Sequence, residues 1–382
     1  MRVSRRGSVD PFIVMDVMEA ARRAEEAGRH IIHMEVGQPG TGAPKAALDR
    51  LKGDLDGGSL GYTVALGVPE LRQRIARLYG DWHNVDMDPD RVVVTAGASG
   101  AFLLAFTALF DTGERVGLGA PCYPSYRQIL KSFDVQAIDI STKLENGFQP
   151  VPSDVADHDL NGLIVASPAN PTGTMLSKGE LAALSDACNA RNAAFISDEI
   201  YHGLDFGKQS ATAAAVTDQV YVINSFSKYF SMTGWRVGWM IVPPDHVRTV
   251  ERIAQNQFIC ANHAAQRLAL YAMDCDEELQ ANIAVYAENR RLMLAELPKA
   301  GFERFASPDG AFYVYADVSE FTEDSRAFAS EILEQAGVAV TPGLDFDPKE
   351  GHKWLRFSYA RSTADIREGL SRLATFMQGR RA

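Results

Sequence analysis

The stretch Arg91–Phe110, RVVVTAGASGAFLLAFTALF, is where the fold class becomes readable. It opens almost continuously β-branched, the composition of a strand buried on both faces. Small residues follow from Thr95 to Gly100, and Ala101–Phe110 is apolar all round, as a buried helix is. Working outward, strand-like runs recur at Arg115–Leu118, Val135–Ile140, Leu163–Ala166, Ala194–Ser197 and Val220–Ile223. Helical patterns lie around Tyr126–Phe133 and between Lys178 and Arg191. The alternation predicts an α/β fold with a mostly parallel sheet covered by helices on both faces. Upstream, Glu35-Val36-Gly37 reads as a further strand. After Pro243-Pro244 the pattern turns helical, with a charge-rich stretch from about Asp274 to Leu297. Strand-like Ala311–Ala316 and Trp354–Tyr359 follow. A last helix opens near Ser362, with Asp365 completing a capping-box variant. These later elements predict a smaller α+β companion domain.

The totals bound the function. A chain of 382 residues suggests two domains, and 46% apolar with 23% charged residues is ordinary globular composition. A net charge of −11 disfavours a nucleic-acid partner, which needs a concentrated basic surface. No apolar run is long enough to span a bilayer, and no signal-peptide pattern opens the chain, so no membrane partner is expected. The four cysteines are scattered without CxxC pairs and read as reduced thiols of a cytoplasmic protein. The eight histidines show no ligand spacing, so no metal is expected.

Four segments carry chemistry. Ser225-Phe226-Ser227-Lys228 lies just beyond a predicted strand, with Arg236 eight residues after the lysine. Lysine can form an imine with an aldehyde, while serines and an arginine can hold a phosphate. In isolation, a solvated lysine after a strand is the more ordinary reading. Ser197-Asp198-Glu199-Ile200-Tyr201 ends another strand. A carboxylate there can pair with a pyridinium nitrogen, and Tyr201 can donate to a ring oxygen. Read alone, it is an acidic pair capping a helix. Ser167–Gly173 contains Asn-Pro-Thr-Gly, a turn signal that also presents the Asn170 amide at the C-terminal edge of the sheet, where ligands of open α/β sheets bind. Thr95–Gly100 brings backbone N–H groups close to a helix N-terminus and so suits a phosphate, though it is neither GxGxxG nor a Walker loop.

In this order and spacing the segments resemble the class I/II aminotransferases, the fold-type-I pyridoxal-phosphate (PLP) enzymes, over essentially the whole chain. The resemblance implies a large PLP-binding domain over residues 41–275 and a small domain built from residues 1–40 and 276–382. It implies that Lys228 carries PLP as a Schiff base and moves the substrate proton, and that Asp198 pairs with the ring nitrogen. Asn170 and Tyr201 would meet the phenolic oxygen, and Tyr123 would stack on the ring. Ala98, Ser99, Ser225 and Arg236 would hold the phosphate, joined by Tyr62 from the neighbouring subunit of a homodimer. Arg356, in Leu355-Arg356-Phe357-Ser358, would grip the substrate α-carboxylate, and Gly37 would lie over the substrate. Val36-Gly37-Gln38-Pro39 departs here from the family's more usual Gly-Glu-Pro. The implied activity is ping-pong transfer of an amino group from an L-amino acid to a 2-oxo acid.

Two alternatives share these residues: a PLP-dependent carbon–sulfur β-lyase and a non-catalytic PLP-sensing regulator. The short span before Glu35 and the acidic charge disfavour the regulator. Substrate side-chain preference is open. A second carboxylate would need a cation, for which Arg22, Arg23, His30 or a partner arginine are candidates. Pro11-Phe12-Ile13-Val14 is either an apolar lid or packing of the small domain.

Overall fold

The computed structural model describes residues 1–58 and 60–381; Ser59 and Ala382, within the expected domain ranges, lie outside the described residues. Among these residues a seven-stranded sheet runs, in spatial order, through Val92–Thr95, Gly238–Ile241, Tyr221–Ser225, Ala194–Asp198, Gly162–Ala166, Arg115–Ala120 and Gln136–Ser141. Gly238–Ile241 is antiparallel to both its neighbours, and the remaining adjacencies are parallel. That antiparallel strand is missing from the sequence reading. It is four residues long, begins at a glycine and follows the lysine segment closely, so it gives almost no periodic signal.

The central strands are apolar on both faces because each face is covered. One cluster joins Val92, Leu163, Phe195 and Trp239 to the helices Pro69–His83 and His263–Ala272. The other joins Val93, Val116, Ile164 and Met240 to Gly97–Leu109 and Val247–Gln257. The helix Lys178–Asn189 starts in a capping box, with Ser177 accepting from the Glu180 amide and Glu180 from the Ser177 amide.

A separate core contains the antiparallel sheet Thr341–Pro342, Trp354–Ser358 and Tyr313–Asp317. Ile32 and Met34 from the N-terminal segment pack into this core with Val338, Leu355 and Leu370. The expected strand at residues 35–37 is not one. The strand is Ile32–His33, paired in parallel with Val338–Ala339, and beyond it Glu35 and Gly37 use their carbonyls on side chains instead of a ladder. The last helix, Thr363–Arg381, opens as read, with Ser362 Oγ accepting from the Asp365 amide at 3.1 Å.

The helix Ile13–Glu26 packs through Ala21 on Ile31, Leu333 and Ala339, beside the smaller sheet. Asp345 caps its N-terminus, accepting from the Ile13 and Val14 amides at 2.9 and 3.2 Å. Just before it, Asp10 is tied to Gln128 and Lys131 on the helix Pro124–Ser132. No helix among the described residues is long and apolar enough to cross a membrane.

Candidate active site

Thr95, Ala166, Asp198 and Ser225 end parallel-running strands at one edge of the large sheet, where Gly238 begins the antiparallel one. The loops leaving this edge, the helix Ile13–Glu26 and the strand Trp354–Ser358 enclose a cavity of about 240 Å³. Ten of the residues singled out in the sequence line it: Gly37, Ala98, Ser99, Tyr123, Asn170, Asp198, Tyr201, Lys228, Arg236 and Arg356.

Lys228 Nζ donates to the Gly37 carbonyl and lies 5.5 Å from the centre of the Tyr201 ring. Burial, with help from Arg356 and Arg236, brings its ammonium down to about 7, while Asp198 pulls the other way. Asp198 is pushed up to about 6 by burial, although the Tyr126 hydroxyl and the Ile200 amide donate to it and Lys228 lies near. A buried carboxylate so placed favours a proton or cationic donor in the cavity. The Tyr201 and Tyr313 hydroxyls are hydrogen-bonded at 2.8 Å.

At one end of the cavity the helix Gly97–Leu109 presents its N-terminus beside the Arg236 guanidinium. Gly97 has φ +72°, and a Cβ on it would come within 2.6 Å of Arg236 Nη2. One on Gly238 would lie 2.8 Å from the Asn224 carbonyl oxygen and 3.1 Å from the Ala98 nitrogen. The glycines therefore let backbone, guanidinium and strand converge on a cradle for an anion.

At the other end Arg356 is only 3% exposed. Its guanidinium donates to Asn170 Oδ1 at 2.9 Å, to Thr341 Oγ1 at 3.2 Å and to the Glu35 carbonyl, and lies over the rings of Tyr313 and Phe346. Its Nε has no partner, and among the described residues no carboxylate pairs with it. A buried cation satisfied only by neutral groups favours an incoming anion. A cavity with an amine near neutrality, a proton-hungry carboxylate and an anion site at each end fits a phosphorylated, ring-shaped aldehyde together with a carboxylate substrate.

Two expected residues lie elsewhere. Ser225 is buried on its strand, its hydroxyl engaged with Ser227 Oγ and the Val237 carbonyl, and Ser227 lines the cavity instead. Tyr62 is 83% exposed and lines a different depression, with Leu60, Phe258 and Cys260. Sequence reasoning passed over Tyr126 and Tyr313. Tyr313 alternates along the strand-like run Ala311–Ala316, which carries a usable signal, whereas Tyr126, in the apolar face of the helix Pro124–Ser132, reads as packing. Phe12 and Val14 line the cavity with Met15 and Met18, and Phe12 packs edge-on to Tyr123, which favours the lid reading.

Residues 29–373 match the family model of aminotransferase class I and II. The chain is 44% identical to a valine–pyruvate aminotransferase of Mycobacterium tuberculosis, over 98% of each chain. It is 32% identical to an aspartate aminotransferase of Thermotoga maritima, over 99% of this chain and 100% of that one. Among solved structures, a putative aminotransferase from Silicibacter pomeroyi superposes with a TM-score of 0.95 at 67% identity, covering 99% of this chain and 100% of that one.

Proposed function

Because the chain belongs to the class I and II aminotransferases, and is therefore a PLP-dependent enzyme of amino-group transfer, we propose that Lys228 is its catalytic amine and that its preferred donors have aliphatic side chains. The observation that carries this reading is the meeting, in one cavity, of Lys228, Asp198 and two arginines without carboxylate partners.

When bound, PLP supplies an aldehyde that condenses with amines and a ring that accepts the electrons left when an α C–H bond breaks. Lys228 would bond the aldehyde, and Asp198 would face the ring nitrogen. Asn170 and Tyr201 would serve the phenolic oxygen, and Tyr123 the ring face. Arg236, Ser227 and the amides of Ala98 and Ser99 would hold the phosphate. Arg356 fixes the substrate carboxylate with a planar fork that binds both oxygens. Lys228 Nζ, once displaced by the substrate amine, is near enough to neutrality to take the α-proton and deliver it elsewhere. Gly37 and the segment carrying Phe12 and Val14 exclude water from this exchange.

The side-chain preference follows from the wall. Phe12, Val14, Met15, Met18 and Ile129 are apolar, and the cavity's three cations already have tasks. The relative named for valine and pyruvate has the same sense. The remaining parts of the reading are a small domain of residues 1–40 and 276–382 beside a large one of 41–275, a cytoplasmic location, and a homodimer. Exposed Tyr62, Val64, Phe258 and Ile259 support the homodimer by offering apolar surface for a second copy.

A donor panel with pyruvate and 2-oxoglutarate as acceptors tests the proposal. Valine-type donors should give the highest kcat/KM, aspartate the lowest, and Lys228→Ala should abolish transfer and the visible absorbance of added PLP. Wild-type turnover by Lys228→Ala would sink the mechanism; a preference for aspartate would sink the substrate class.

A further inference from the structure

Next to Asp198, outside the lining of the cavity, three titratable side chains meet that the reaction does not use. Glu199 and His202 follow Asp198 in sequence, and His83 ends the helix Pro69–His83. His202 Nε2 lies 3.0 Å from the Ser167 carbonyl oxygen, which only accepts, so Nε2 carries the ring proton. His202 Nδ1 faces His83 Nε2 at 3.1 Å and Glu199 Oε2 at 3.4 Å.

Proton counting then leaves a deficit. With both imidazoles neutral and His202 protonated on Nε2, an ionised Glu199 Oε2 has no donor of its own and faces the Nδ1 lone pair at 3.4 Å, in a site where Glu199 and His202 are 0% and 2% exposed. Such an arrangement is strongly unfavourable without water, and one further proton on Glu199 Oε2, donated towards His202 Nδ1, relieves it. Burial pushes Glu199 up to about 8, pushes His202 well down and holds His83 at about 4. The extra proton therefore resides on Glu199, whose Oε1 is occupied by Ser197 Oγ at 3.0 Å and the Ala213 amide at 2.8 Å. The other titratable groups facing the trio are Tyr79 on the helix of His83, Asp198 on the adjoining strand, and Asp205, which accepts from the Ser210 amide.

We propose that one buried proton on Glu199, donated to His202 Nδ1 beside His83, holds the Ser167 carbonyl in place, and through it the Asn170 amide that braces Arg356. This rests on the reading of Arg356 as the carboxylate site. The path is short: the Ser167 amide donates to the Asp198 carbonyl at 3.0 Å, and Asn170, three residues on, accepts from Arg356 at 2.9 Å. Loss of the proton to solvent leaves a carboxylate against His202 Nδ1. The imidazole answers by moving its own proton from Nε2 to Nδ1, where it donates to Glu199, and the Ser167 carbonyl loses its donor. His202 is thus a positioning residue whose tautomer reports on Glu199.

The test uses the PLP-loaded enzyme and 3-methylbutanoate, a carboxylate with no amino group to react. Its Kd, read by calorimetry, should weaken about five-fold between pH 7 and 9.5, the effect of losing one neutral hydrogen bond. Glu199→Gln, whose amide donates permanently to His202 Nδ1, should bind with the same Kd at both pH values. Retention of the wild-type step by Glu199→Gln would overturn the proposal. Arg356→Lys separates the two readings. Unchanged binding by that variant would refute the carboxylate site itself, whereas weakened binding alongside a retained Glu199→Gln step refutes only the buried proton. On the unaltered chain, ¹⁵N-histidine NMR should find the His202 proton on Nε2 at pH 7 and on Nδ1 at pH 9.5. An unchanged tautomer would also overturn the proposal.

Discussion

Arg236 and Arg356 stand at opposite ends of one cavity, neither paired with a carboxylate among the described residues, yet they are built in contrary ways. Arg236 is exposed and donates to the Thr233 carbonyl three residues before it. Its companions at the cradle, the amides of Ala98 and Ser99, come from a single helix start. Arg356 is buried, and its partners come from Glu35, Asn170 and Thr341, parts of the chain far apart in sequence. At one end the guanidinium is held by its own turn and set against backbone dipoles; at the other it is held by side chains and carbonyls from distant parts of the chain. The difference predicts that the first tolerates loss of its guanidinium better than the second.

The sharpest way to break this comparison is to remove each cation. Arg356→Ala should raise KM for donor and acceptor alike by about 10²-fold or more, because truncating a buried, hydrogen-bonded charge site costs roughly 2–5 kcal/mol. Arg236→Gln should weaken PLP about 10- to 100-fold, the scale of one charge-assisted contact at about 1.5–3 kcal/mol, with kcat nearly restored at saturating PLP. Equal losses at the two ends, measured by steady-state kinetics and by PLP titration, would erase the distinction. The smallest effect belongs to the supports. Thr341→Val removes one long hydrogen bond from the Arg356 guanidinium and should raise KM about 12-fold, near 1.5 kcal/mol, the low end for a charged donor, with PLP affinity unchanged.

The same contrast explains what could be read from the sequence. Lys228 and Asn170 follow the strands ending at Ser225 and Ala166, Asp198 ends another, and Arg236 stands just before Gly238–Ile241, so strand ends and turn chemistry were enough to bring them to one sheet edge. The parallel strands announced themselves because burial on both faces demands continuous apolar runs. Gly238–Ile241 did not, being short and set between two functional segments. Tyr126 was hidden for another reason: a tyrosine on an apolar helix face looks like packing, and its bond to Asp198 depends on a fold not yet built. Ser225 and Ser227 show the limit of pattern matching, since the backbone after the strand decides which hydroxyl faces the cavity. The proton buried beside Asp198 was beyond reach of the sequence, because His83 arrives from another element altogether.

The antiparallel strand has a consequence for biosynthesis. Val92–Thr95 lies at the edge of the large sheet; among the described residues its one ladder there is with Gly238–Ile241, and the Val94 amide donates to the Leu66 carbonyl on the other side. A chain that emerges from the ribosome N-terminus first exposes this β-branched edge long before its partner exists. The cradle beside Thr95 also rests against Gly238, so it cannot be finished until that strand has been made. Cofactor capture must therefore wait for the nascent chain to pass residue 241, with Arg356 arriving later still. In the interval the unfinished sheet is the part of the molecule most in need of a chaperone.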